Sequence, residues 1–176
     1  MTTPAPPDGF ADFVASRSAA LLRAAWLLTG DNGKAEDLLQ TALTATWRRW
    51  PHVTEGGNPE GYVRKALYTT YVTWWRRRWR AELPTEVLPE RSTGSDIADR
   101  QANRDAVRRA LAGLSRQQRA IVVLRYVEDR TVAQTAELLE CSAETVKVQA
   151  FRALAKLRAD PHLRLAEAAS SSATKG

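Results

Sequence analysis

The stretch TVAQTAELLECSAETVKVQAFRALAKL, residues 131–157, decides how this chain reads. From Thr131 to Leu139, apolar side chains at Val132, Ala136 and Leu139 recur at helical spacing and make one short amphipathic helix. Glu140-Cys141-Ser142 is a tight connection, and Ser142 is a good N-cap for a following helix. In that helix Val146, Ala150, Ala153, Leu154 and Leu157 form the apolar stripe. Lys147, Gln149, Arg152 and Lys156 lie off it, with Glu144 and Thr145 near the N-terminus. A small residue, Ala136, where two helices cross, and donors on the outer face of the second helix make a helix-turn-helix layout. An ordinary helical hairpin with a charged outer face gives the same pattern. Glu140 stands where many such turns place Gly, so this turn has to accept a Cβ.

Upstream, the chain reads as helices almost throughout. Phe10, Phe13, Val14, Leu21, Leu22, Ala25 and Leu28 recur at helical spacing, and Thr29-Gly30-Asp31 closes that segment. A second helix is expected from about Asn32 to Trp50, with Pro51 stopping it and a loop through Thr54-Glu55-Gly56-Gly57-Asn58-Pro59. A third begins near Pro59 and reaches about Arg80. Pro84, Pro89 and Ser92-Thr93-Gly94-Ser95 mark a linker, and three or four helices lie between Ile97 and Leu165. The expected fold is all-α: two small helical domains, residues 10–80 and 101–162, joined by a flexible linker, residues 81–100. Tails at 1–9 and 166–176 are expected to be disordered.

Charge supports two modules. The chain of 176 residues carries a net charge of +6, with a basic N-terminal block, an acidic bridge and a basic C-terminal block. Such a balance suits a protein that meets polyanions. The single cysteine, Cys141, excludes an internal disulfide and fits a reducing compartment. The Pro-rich start has no apolar core of a secretory signal, and no apolar run approaches the roughly 20 residues of a membrane span. A soluble, cytoplasmic protein without membrane or cofactor is expected. The histidines, His52 and His162, stand alone, and no metal-ligand spacing, phosphate loop or nucleophile motif is present. Nothing in the sequence argues for an enzyme.

All six tryptophans precede residue 80, and three of them interleave with Arg76, Arg77, Arg78 and Arg80. Aromatics beside arginines suit unstacked bases. Val63, Leu67, Tyr71 and Trp74 fall at core spacing instead, and Trp26 and Trp47 sit on apolar stripes. Trp75 and Trp79 are the candidates for stacking.

Leu114-Ser115-Arg116-Gln117-Gln118-Arg119-Ala120-Ile121-Val122-Val123-Leu124-Arg125-Tyr126, followed by Thr131 to Leu157, resembles region four of the extracytoplasmic-function (ECF) sigma factors. The resemblance implies a module that binds the promoter −35 element and docks on the flap of the polymerase β subunit. By position, Thr145, Lys147, Val148, Gln149, Phe151 and Arg152 would face DNA. Val148 departs from a family that often carries Ser there, and Phe151 is equally compatible with a core position. Ala35-Glu36-Asp37-Leu38-Leu39-Gln40, continuing through Trp47, resembles region 2.2, which grips the coiled coil of the polymerase β′ subunit. Carried over by position, Asp37, Leu38, Gln40, Thr41 and Thr44 would make that contact, Thr41 standing where an acidic residue is usual. The helix from Tyr62 to Arg80 resembles regions 2.3 and 2.4, which melt and read the −10 element. There Thr69, Thr73, Trp75, Arg76, Arg77, Arg78 and Trp79 are the candidates, with Thr69 and Thr73 where the family often has Asn and Asp. The 51–60 segment matches, by position, the loop that pockets a flipped −10 base. The Trp-Trp-Arg-Arg-Arg run is similar to the sigma-E-like branch of actinobacteria.

The resemblance implies core RNA polymerase and promoter DNA as partners, and leaves an anti-sigma factor open. Two other readings stay in view: a free-standing helix-turn-helix regulator, and an interaction protein that occupies polymerase without reading promoters.

Overall fold

The computed structural model describes residues 5–78, 95–161 and 163, and they divide into two compact units, Met1–Glu82 and Leu83–Gly176. The fold is all-α: among the described residues there are eight α-helices and no strand.

In the first unit α1 runs Phe10–Thr29 and ends where Gly30 adopts a left-handed conformation, φ 68°, its N–H donating to Trp26 O. Asp31 then caps α2, its side chain accepting from Lys34 N at 2.8 Å. α2, Asn32–Trp47, buries Ala35, Leu38, Leu39, Ala42 and Thr46, a single stripe at helical spacing. It packs against both α1 and α4, the latter spanning Pro59–Arg78. The two alanines let the neighbouring helices approach, and Leu21, Leu28, Val63, Leu67 and Tyr68 fill the space between them.

The second helix ends earlier than the sequence suggests. α2 stops at Trp47, and a short helix α3, Trp50–Glu55, occupies part of the expected loop. Pro51 explains both. Its ring would clash with the carbonyl four residues back, at Trp47, so the helix cannot pass through it. In the first turn of a new helix the same residue is well suited, and there it stands. α3 is held by its aromatic residue. Trp50 is buried, meets Phe10 edge-on at 5.0 Å, and donates its indole N–H to Asp8 O at 2.9 Å. Only Gly56, Gly57 and Asn58 remain as a turn before α4, with Gly57 at φ 74°.

In the second unit α5, Ser95–Ala112, begins inside the stretch expected as linker. Ser115 caps α6, Arg116–Val122, which passes into a π-helical turn, Val123–Val127, closed by Glu128 N donating to Val123 O at 3.0 Å. Thr131 caps α7, Val132–Leu139, through a reciprocal box with Gln134. Ser142 caps α8, Ala143–Ala159. α8 lies on α6 and α7, burying Val146, Ala150 and Ala153 against a core that includes Leu114, Ile121, Leu124 and Leu139. The turn between α7 and α8 is a Schellman motif: Cys141 N donates to Ala136 O at 3.0 Å, and Glu140 N to Glu137 O at 3.3 Å. Glu140 takes the left-handed position, φ 51° and ψ 47°, that the sequence required it to tolerate. Residues 1–4, 79–94 (Trp79 among them), 162 and 164–176 and the side chain of Arg78 lie outside the described residues. Residues 5–9 of the tail expected to be disordered are described, with Asp8 O accepting from Trp50.

Candidate functional site

Three surfaces gather the candidate residues. The first is the outer face of α8. Lys147 and Arg152 are exposed, as are two apolar side chains, Val148 at 38% and Phe151 at 74%. Phe151 is therefore not a core residue. It lies on the side of the helix opposite the buried Val146–Ala150–Ala153 stripe. Two cations and two apolar groups on one helix face can meet phosphates, base acceptors and thymine methyls. The other two candidates sit at the edge of this face. Thr145 is partly buried, with its hydroxyl 2.8 Å from Ser142 Oγ. Gln149 is partly buried and accepts from Gln118 Nε2 at 2.9 Å.

The second surface belongs to α2. Asp37, Gln40, Thr41 and Thr44 are exposed and, with Ala45, Arg48 and Trp74, line an open concavity of about 630 Å³. Thr41 and Thr44 donate their hydroxyls to the helix carbonyls of Asp37 and Gln40, each at 2.7 Å. Leu38 does not belong here. It is wholly buried, because it falls on the Ala35–Leu39–Ala42 stripe, and it has no surface to offer a partner. Arg48 and Trp74 were missed. Arg48 was findable, four residues after Thr44 on the same face. Trp74 was not, since its spacing from Leu67 and Tyr71 reads as core and only its partial exposure near the end of α4 reveals it.

The third surface is the far end of α4. Thr69, Thr73, Arg76 and Arg77 are exposed, with Lys65 one turn before Thr69. Thr69 and Thr73 direct their hydroxyls to Lys65 O and Thr69 O, each at 2.9 Å, so their oxygens can still accept. The structure does not bring Trp75 to this face. Trp75 is partly buried and prolongs the line of Tyr68, Tyr71 and Val72, all buried.

Burial pushes the Cys141 thiol up from its ordinary value, which keeps it protonated and a poor nucleophile. Among the described residues no cluster of His, Cys, Asp and Glu is placed to hold a metal.

A helix-turn-helix unit and a second helical unit with a polar groove and a basic helix end define a two-part nucleic-acid-binding protein. Residues 13–81 match the model of sigma-70 region 2, and residues 104–157 that of sigma-70 region 4. The RNA polymerase sigma-E factor of Streptomyces coelicolor is 42% identical over 149 residues, covering 85% of this chain and 84% of that protein. Its counterpart in Streptomyces avermitilis is 41% identical over 149 residues, covering 85% and 83%. Two solved folds are also similar. Sigma factor RpoE, in complex with the anti-sigma factor NepR from Bartonella quintana, has a TM-score of 0.63 at 22% identity, covering 90% of this chain and 98% of that one. CnrH, in complex with the cytosolic domain of CnrY, has a TM-score of 0.56 at 23% identity, covering 85% of each. The chain belongs to the sigma-70 family of RNA polymerase sigma factors, in the extracytoplasmic-function group and similar to its sigma-E members. Its function is promoter-specific initiation of transcription.

Proposed function

We propose that the three surfaces divide the work of initiation. Residues 10–80 hold core polymerase through the groove of Asp37, Gln40, Thr41, Thr44, Arg48 and Trp74. The same unit meets the −10 element through Thr69, Thr73, Arg76 and Arg77, with Trp75 supporting the helix that carries them. Residues 101–162 place Lys147, Val148, Phe151 and Arg152 on the −35 duplex, with Thr145 and Gln149 at the rim. The segment 81–100 links the two. The observation that carries this reading is the exposed polar stripe of α2 facing an open concavity, in a unit separate from the helix-turn-helix. A subunit that must grip another protein needs such a stripe.

The chain performs no chemistry of its own; polymerase does. It works where polymerase and DNA are, in the cytoplasm, and among its described residues no helix is long and apolar enough to cross a membrane. An anti-sigma factor is a further partner, supported by the similar fold of the sigma factor RpoE, solved in complex with the anti-sigma factor NepR.

Run-off transcription with purified core polymerase tests the reading. Transcripts starting at defined promoters are expected only when the chain is added. Operator binding without any polymerase dependence would favour the free-standing regulator instead, and polymerase binding with no DNA footprint the interaction protein.

A further inference from the structure

Gln118 is polar yet only 6% exposed. As the third residue of α6 it closes a capping box: Ser115 Oγ accepts from Gln118 N at 3.1 Å, and Gln118 Oε1 accepts from Ser115 N at 3.2 Å. The same Oε1 accepts from Lys156 Nζ at 3.1 Å, while Nε2 donates to Gln149 Oε1 at 2.9 Å. Gln149 and Lys156 lie two turns apart on α8. A capping side chain on α6 therefore grips the second helix of the helix-turn-helix at two points.

The donors decide which prong of each amide is which. A backbone N–H and an ammonium can only donate, and both meet one atom of the Gln118 amide, so that atom is the oxygen. The other prong is then the NH₂, and the Gln149 atom facing it is an acceptor, Oε1. This leaves the Gln149 NH₂ on the prong away from Gln118, with no acceptor among the described residues. Gln149 is partly exposed at the rim of the outward face.

We propose that Gln118 is a positioning residue for base reading, locking the Gln149 amide with its oxygen inward so that Gln149 meets DNA as a donor only. The inference rests on the reading of α8 as the helix that faces the −35 duplex. A free glutamine presents an acceptor and a donor side by side, the match for adenine N7 and N6. With its oxygen turned inward, Gln149 instead matches acceptor edges: N7 and O6 of guanine, or O4 of thymine.

The test uses the full chain with core RNA polymerase and duplexes randomised across the −35 segment, with recovered sequences counted. Gln149→Ala locates the position that Gln149 reads, as the one whose preference relaxes. Wild type is expected to prefer guanine or thymine there. Gln118→Glu keeps the capping box and the Lys156 contact, since Glu serves equally well at that capping position. It offers only an acceptor to residue 149, so the Gln149 amide has to turn over and present its oxygen. The preference should then move toward adenine or cytosine by about five- to tenfold. A purely structural role for Gln118 would weaken binding to all sequences alike and leave that ratio unchanged. Should Gln118→Glu fail to fold, Gln149→Glu, which can only accept, should produce the same shift. The proposal is overturned if wild type prefers adenine or cytosine, if Gln149→Ala relaxes no position, or if Gln118→Glu folds and the preference stays. A wild-type chain that selects no sequence at all would overturn the reading of α8 itself, a result separable from these three.

Discussion

Two buried threonines show how a single hydroxyl is handled in these units. Thr46 is fully buried in α2 and donates to Ala42 O at 2.8 Å, so its polar atom costs little there. Thr135 is fully buried in α7, and its Oγ1 has no hydrogen-bond partner among the described residues. An unsatisfied buried hydroxyl costs about 1–3 kcal/mol. Valine has nearly the same shape and the same β-branch. Thr135→Val is expected to stabilise the second unit by about 1 kcal/mol, read as a higher denaturation midpoint of the full chain. A lower midpoint would mean that the hydroxyl is satisfied by water. Glu140 makes the opposite compromise. Its left-handed backbone costs about 1–2 kcal/mol for a residue with a Cβ, which the two Schellman hydrogen bonds help to offset.

At the scale of the element, α2 does two jobs with one periodicity. Its Ala35–Leu38–Ala42 side locks α1 to α4, and its Asp37–Gln40–Thr44–Arg48 side remains open. The break forced by Pro51 matters to both. Ending α2 at Trp47 leaves Arg48 at the rim of the groove, and starting α3 at Trp50 swings that indole into the Phe10 cluster. Gln40→Ala and Arg48→Ala are expected each to weaken binding to core polymerase about five- to thirtyfold, the range of an interface residue worth 1–2 kcal/mol. Both side chains are exposed, so helicity and melting should stay within about 0.5 kcal/mol of wild type. Titration of labelled chain with polymerase, beside circular dichroism, checks both. Unchanged affinity for the two variants would remove the groove from the polymerase contact.

At the scale of the whole molecule, the covalent path sets a limit on spacing. Arg78 closes α4 and Ser95 opens α5, a path of 17 peptide steps. At 3.3–3.6 Å per step its reach is at most about 56–61 Å, less than two turns of B-DNA at about 34–36 Å each. The earlier start of α5 makes this shorter than the 20-residue linker expected from prolines and small residues alone. A protein that reads two DNA elements through such a tether should tolerate little change between them. Inserting about half a helical turn between the −35 and −10 elements turns one groove to the far side of the duplex. Run-off transcription should then fall by about tenfold or more, the loss of roughly 1.4 kcal/mol of contact. Activity that ignores the insertion would show that only one element is read.

The helices and their caps were legible in the sequence because they are local. Apolar residues three and four apart, Asp31, Ser115, Thr131 and Ser142 at helix starts, and Gly30 at a helix end each act within one or two turns of the chain. The helix-turn-helix followed from such signals alone, whereas the α2 contact residues came from the family resemblance, which included the buried Leu38 and lacked Arg48 and Trp74. Tertiary structure decided what depends on residues far apart. It turned Phe151 outward and moved Trp74 from the core to the rim of the groove. Packing also left Trp75 only partly exposed, on the line of the buried Tyr68, Tyr71 and Val72. The Ser115–Gln118 capping box could be read from spacing, but not that its glutamine reaches 31 residues along the chain to Gln149. Periodicity divides a helix into faces. Only the packing of other helices decides which face, and how much of it, is left for a partner.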